Sequence, residues 1–237
     1  MPILQVMLRI IRLSSLALLL MVGGLWGFAW FSKAPEESLG EAFATRLASV
    51  FGQQMPMPSP GGGGMTLPPG VQLGGAFSLT DHTGRAVTEQ DFAGRWLLVY
   101  FGFTYCPDVC PTELGTIAAA LDEMGAAGEA VTPILITIDP ARDTPEQLAD
   151  YVSSFHPRMI GLTGTAEQVA EAARRYRVFY ARAQRPDMTE YTMDHSSFIY
   201  LVGPDARVRA LFRMETPPED IAAAVQGQLR AAGRPAT

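Results

Sequence analysis

The segment Arg95–Phe103, "RWLLVYFGF", carries one charge, on its first residue, and no apolar/polar alternation after it. A run of this kind is the pattern of a strand covered on both faces. A second run, "VTPILITID" at 131–139, makes the same demand. Between them, Pro111 to Met124 reads as a helix. Two buried strands joined through a helix form a βαβ unit, so the chain is predicted to be α/β, with a mixed central sheet flanked by helices.

The flanking segments extend that order. "AFSLT" (76–80) and the residues after "DHTGRAV" read as a hairpin turning at Thr83–Gly84. "DTPEQLADYVSSF" sets Leu148, Tyr151, Val152 and Phe155 on one helical face. Its start carries Thr144 as N-cap, Pro145 at the first helical position and Gln147 to close a capping box. The same signature at Thr165/Gln168 and Thr216/Glu219 predicts two more helix starts. "RVFYARA" (177–183), "SFIYLVG" (197–203) and "RVRALFR" (207–213) read as strands, the last two joined through the "GPDAR" turn. A thioredoxin-like fold has this order.

The first 70 residues are of another kind. Leu13 to Phe31 is a 19-residue stretch without charge, preceded by Arg9 and Arg12 and followed by Lys33, Glu36 and Glu37. About 20 apolar residues cross a bilayer as a helix. The positive-inside rule then leaves 1–12 in the cytoplasm and sends the rest outside. The run exceeds the 7–15 residues of a signal-peptide core, and no A-x-A-like site follows it, so an anchor is preferred to a cleaved leader. Residues 36–51 read as a short amphipathic helix. In 52–70, "GQQMPMPSPGGGGMTLPPG", Pro and Gly fill 11 of 19 positions, the composition of a linker. The expected organisation is thus 13–31 anchor, 32–69 juxtamembrane helix and linker, 70–232 folded domain and 233–237 tail. The expected location is the inner membrane, single-pass, with the C-terminal domain on the periplasmic side.

The charge balance narrows the function. Formal net charge is −6, and no basic patch or RNA-type aromatic motif offsets it, which argues against a nucleic-acid partner. Both cysteines, Cys106 and Cys110, lie in "YCPDVCP", where the first buried run meets the helix. Outside the cytoplasm such a pair can form a disulfide. A thiol at a helix N-terminus is also biased toward thiolate, the form that attacks disulfides and binds soft metals. Asp108, between the two, adds a charge that opposes this. The CxxxC spacing allows an inert disulfide, a redox pair or two ligands of one metal. Of three histidines, His82 and His156 read as solvated loop residues. His195 stands just before a core strand, where a thioredoxin-like chain turns back toward the cysteine loop. Two thiolates and an imidazole are a soft, low-coordinate set that suits Cu(I), and imidazole also suits Cu(II), whereas zinc would want a fourth ligand. Met193 is a soft neighbour or packing, and linker Met55, Met57 and Met65 read as a tether.

"FGFTYCPDVCPTEL", "ITIDPARDTPEQLADYV", "LTGT" and "MDHSSFIYLVGPD", in that order from about Phe77 to Leu229, resemble the Sco/SenC copper proteins. The resemblance implies a thioredoxin-like fold with an added hairpin. It implies one copper ion held by Cys106, Cys110 and His195, and delivery to the CuA centre of cytochrome c oxidase subunit II. Some members reduce the CuA-site cysteines instead, which would make Cys106 and Cys110 a catalytic redox pair closing as a disulfide. Other periplasmic copper or thiol-redox proteins are further partners in keeping with the family. Asp139 falls in the family's "DP-x-R-D-T" segment, as support for the site or as loop structure with Arg142 and Asp143. Tyr105 stands where many members carry His.

Overall fold

The computed structural model describes residues 64–68, 70–185 and 189–233, with Ser15 and Gly23 ahead of them. The chain divides into two units, Met1–Met57 and Pro58–Thr237. Ser15 and Gly23, both helical, are the described residues of the first. The expected anchor at 13–31 and the helix within 36–51 otherwise lie outside the described residues. Among the described residues no helix is long and apolar enough to cross a membrane.

In the second unit the apolar runs become the centre of the sheet. Strands β1 (Met65–Thr66), β2 (Ser78–Asp81), β3 (Ala86–Thr88), β4 (Trp96–Gly102) and β5 (Val131–Thr137) are followed by β6 (Ile160–Thr163), β9 (Phe198–Val202) and β10 (Val208–Arg213). They form one eight-stranded sheet, ordered β1-β10-β9-β4-β5-β6-β2-β3. β4–β5 and β5–β6 are parallel, and the other pairs are antiparallel. Every residue of β4 and β5 is buried, so both faces are covered at the centre, as their unalternating sequences require. Full burial of a side chain such as Leu98, Phe101 or Leu135 contributes roughly 1.5–3 kcal/mol.

Four α-helices stand among the described residues of the domain: α1 (Val109–Met124), α2 (Pro145–Ser153), α3 (Ala166–Tyr176) and α4 (Pro218–Ala231). α1 packs on α4, α2 on β6 and α3 on β2. Thr144 and Thr165 cap their helices by accepting from the backbone N–H of Gln147 and Gln168. The reciprocal side-chain bond that completes a capping box is present at Gln168.

Several local expectations are corrected. Thr216 does not cap α4; its hydroxyl donates to the Arg213 carbonyl, and the helix opens through Pro217 and Pro218. The strand expected from Arg177 begins at Tyr180, because Arg177 closes α3 in the left-handed region (φ 53°). Met65–Thr66, assigned to the linker, pairs with Leu211 and Ala210 at the sheet edge. β6 was not anticipated. Neither was β8 (Thr192–His195), which pairs antiparallel with β7 (Tyr180–Ala183) in a separate two-stranded sheet. This hairpin carries His195, and among the described residues its two strands are bonded to no strand of the main sheet.

Candidate metal and thiol site

Strand β4 ends at Gly102, and the chain reaches the cysteines through Phe103, Thr104 and Tyr105. A Cβ at Gly102 would stand 3.0 Å from Cys110 Sγ and 2.8 Å from the Tyr100 ring, so the absent side chain makes room for the sulfur. Thr104 is fixed from below by Asp143. Its N–H donates to Oδ2 (3.1 Å) and its hydroxyl to Oδ1 (2.6 Å). Asp143 is fully buried and also accepts from the Thr137 hydroxyl (2.6 Å). Burial pushes its carboxyl above the usual range, and the Thr104 and Thr137 hydroxyls oppose that shift.

Helix α1 starts at Val109, two residues before the expected Pro111, so Cys110 sits inside its first turn. Cys106 lies just ahead, half-buried, while Cys110 is fully buried; both sulfurs are free thiols. The Cys110 N–H points at Cys106 Sγ (3.4 Å). Cys106 is lowered to about 4, chiefly because the Cys110 thiol donates to its sulfur, with His195 and the backbone N–H groups of Asp108 and Cys110 adding to the effect against desolvation. Asp108, expected to oppose the thiolate, therefore helps it through its backbone. Cys110 shifts upward for the complementary reasons: it keeps its proton, donating the S–H to the Cys106 sulfur, and it is desolvated. The pair shares one proton, the anion resting on the more accessible sulfur.

The hairpin brings the imidazole to this pair. His195 Nε2 lies 3.6 Å from Cys110 Sγ, across 85 residues of sequence. Its Nδ1 lies 3.0 Å from the Ser196 carbonyl. With a metal held by the sulfurs, a proton on Nδ1 donated to that carbonyl would turn the Nε2 lone pair toward the ion. The ring sits edge-on to Tyr100 and Phe103, with centroids 6.1 and 6.0 Å away. Among the described residues no three His, Cys, Asp or Glu side chains already stand in a ready-made metal cage. Cys110 links the other two, its sulfur facing the imidazole and its N–H facing the Cys106 sulfur. The donor set fits a soft, low-coordinate metal.

The other sequence candidates resolve differently. His82 and His156 are part-buried rather than solvated: their Nδ1 atoms accept from the N–H groups of Gly161 and Arg158. Met193 packs partly against the core. Asp139 is committed to its neighbours, accepting from Arg142 Nε (2.5 Å) and the Tyr191 hydroxyl (2.9 Å), which gives it a supporting place. Met65 pairs in β1, and Met55 and Met57 lie outside the described residues.

Glu113 escaped the sequence reading. It is buried one turn beyond Cys110; one oxygen accepts from the Glu215 N–H (3.4 Å) and the other has no partner. The available signal was an acid beside the apolar stripe Leu114, Ile117 and Leu121. Burial raises its pKa, so ionisation costs stability as pH climbs above the ordinary carboxyl value of about 4.3. Glu113→Gln is expected to raise stability at pH 7 by on the order of 1 kcal/mol, and by much less at pH 4, where the native acid is already protonated. Urea unfolding at the two pH values checks this.

A dithiol where the central strand meets its helix, faced by an imidazole on an added hairpin, defines a thioredoxin-like dithiol protein with a third donor. The chain belongs to the SCO1/SenC family, whose model matches residues 66–230. It is 45% identical over 160 residues to "Protein SCO1 homolog, mitochondrial" of Homo sapiens, covering 67% of this chain and 53% of that protein. Among solved structures, Arabidopsis thaliana ScoI, described "with copper bound", is 40% identical with a TM-score of 0.64, covering 67% of this chain and 99% of that one. Bradyrhizobium japonicum ScoI, also described "with copper bound", is 41% identical with a TM-score of 0.60, covering 65% and 98%. The chain spans about half to three-fifths of the length of the first curated relatives it matches.

Proposed function

We propose that this chain is a membrane-anchored copper chaperone, carrying one copper ion between Cys106, Cys110 and His195 and passing it to the CuA site of cytochrome c oxidase subunit II. The observation that carries the reading is the convergence of a half-buried cysteine sulfur, a buried one and an imidazole nitrogen at one end of the sheet. The copper-bound relatives support the choice of metal. Copper is cargo here, so the site must release as well as hold it. Cys106, half-exposed and already anionic, is the first ligand to meet the ion and the first an acceptor thiolate can displace. Cys110 lies deeper, and with His195 it completes the set. The uncharged run 13–31, with arginines before it, supports an anchor with the folded domain on the periplasmic face.

A second reading draws on the same sulfurs. An accessible thiolate beside a buried thiol is the arrangement by which one sulfur attacks a disulfide and the other resolves the mixed disulfide. The substrate would be the oxidised CuA-site cysteines, and the product a Cys106–Cys110 disulfide with the substrate dithiol released. One experiment separates the two. The reduced chain is loaded with Cu(I) and offered to apo subunit II, alongside copper-free chain offered to disulfide-containing subunit II. The chaperone reading expects one copper per chain and its movement to the acceptor. Electron transfer without metal transfer would replace it with the reductase.

A further inference from the structure

The β7–β8 hairpin holds His195, yet among the described residues no strand of the main sheet bonds to it. It joins the domain through two short links, 177–179 from α3 and 196–197 to β9. Its Tyr191 end is held by side chains. Arg142, in the loop between β5 and α2, donates from Nη1 to the Tyr191 carbonyl (2.9 Å) and from Nε to Asp139 (2.5 Å). The Tyr191 hydroxyl donates to the other Asp139 oxygen (2.9 Å). The Arg142 guanidinium also lies 3.7 Å from the Tyr191 ring centroid and 4.6 Å from that of Tyr105, the residue before Cys106. Arg182 of β7 lies 3.8 Å from the same Tyr191 ring. One side chain thus touches the cysteine loop and the histidine hairpin together.

The physical setting makes this contact strong. The Arg142 side chain is 15% exposed and its partner Asp139 3%, so the pair is little screened by solvent. Cation–π contacts gain as they are desolvated. Arginine is suited to the place because its planar fork bonds two acceptors while its faces stack, which lysine cannot do. The remaining nitrogen, Nη2, is buried without an acceptor. A donor left unsatisfied costs stability, and here the stacked, forked position is kept in spite of it.

We propose that Arg142, with Asp139 and Tyr191, latches the β7–β8 hairpin to the cysteine loop and thereby holds His195 at the dithiol. Arg142 is a positioning residue: it acts on the site through the imidazole and touches no sulfur. The proposal rests on the copper-site reading for its effect on metal, and on the fold alone for its effect on the hairpin. Opening the latch leaves the two sulfurs in place, since they are set by β4, α1 and Asp143. It lets the strand carrying His195 move.

The test has two arms. In the copper-free chain, Arg142→Ala is expected to speed backbone hydrogen exchange across Thr192–His195 while β4 and β5 stay protected. In the loaded chain, Cu(I) affinity is measured by chelator competition for wild type, Arg142→Ala, His195→Ala and the double variant. Losing a support of a metal ligand typically costs about 10–100-fold in affinity. That loss is expected for Arg142→Ala in the wild-type background and should shrink to about twofold or less once His195 is gone. Arg142→Lys, which keeps the ion pair and loses the fork, is expected to fall between. If Arg142→Ala fails to fold, Tyr191→Leu removes the ring, leaves the Arg142–Asp139 pair and is put through both arms. Unchanged exchange in the hairpin overturns the latch. An equal affinity loss with and without His195 overturns its action through the imidazole. If His195→Ala alone leaves affinity untouched, the ligand reading falls, and exchange in the copper-free chain still decides the latch.

Discussion

His195→Ala is expected to lower Cu(I) affinity by at least the ~10–100-fold that a lost ligand support costs, with the fold retained. The imidazole brings a nitrogen donor to the dithiol, with Nε2 3.6 Å from Cys110 Sγ. Its ring rests against Tyr100 and Phe103, and those contacts belong to the site rather than to the packing of β4 on β5 and β9. The cost to folding is therefore small, on the order of 1 kcal/mol as for a typical substitution. Competition against a Cu(I) chelator, with circular dichroism alongside, checks both halves. Reduction of a disulfide substrate needs the two sulfurs alone and is expected to survive the same substitution. Unchanged copper affinity would remove His195 from the ligand set.

Alkylation of the reduced chain at pH 6 should be almost wholly at Cys106. An ordinary thiol, with a pKa near 8.5, is under 1% thiolate at that pH, whereas Cys106, lowered to about 4, is nearly all thiolate. Lower basicity trims its intrinsic nucleophilicity and offsets most of that gain over an ordinary thiol, so the discrimination rests chiefly on Cys110 being withheld. Cys110 is both buried and shifted upward. The sign of the pH dependence follows from the lowered value: the rate is flat from about pH 6 upward and falls as pH drops through about 4. Because the Cys110 thiol is the largest cause of that shift, Cys110→Ala should move the midpoint toward the ordinary thiol value. Timed iodoacetamide labelling with peptide mass spectrometry measures it. Equal labelling of the two cysteines would show that they do not share one proton as described.

Much of the domain was legible in the sequence because burial on both faces leaves a direct trace. The unbroken apolar runs at 95–103 and 131–139 became the two fully buried strands, and the Thr–x–x–Gln starts capped α2 and α3. Short or half-exposed elements left no such trace. β6 is four residues long and β8 mixes Thr, Met, Asp and His, so neither has a run or a period to read. Thr216 carried the right residue types for a cap, but two prolines after it moved the helix start. His82 and His156 looked solvated because what occupies their nitrogens is backbone N–H, which any sequence supplies.

The site divides in the same way. By itself the sequence determined the donor types and their local spacing: two cysteines four apart after a buried strand, and a histidine before another. It also settled family membership, through motifs that keep their order. The tertiary structure decided what those donors are. Their protonation depends on which sulfur is buried, on backbone N–H groups aimed at Cys106, and on the proton shared between the sulfurs. The approach of His195 across 85 residues, and the contact of Arg142 with Tyr105 and Tyr191, arise from chain crossings that no local pattern encodes. Local sequence fixes which groups are offered; desolvation and through-space contact, which act on distance rather than on order along the chain, fix what they can do.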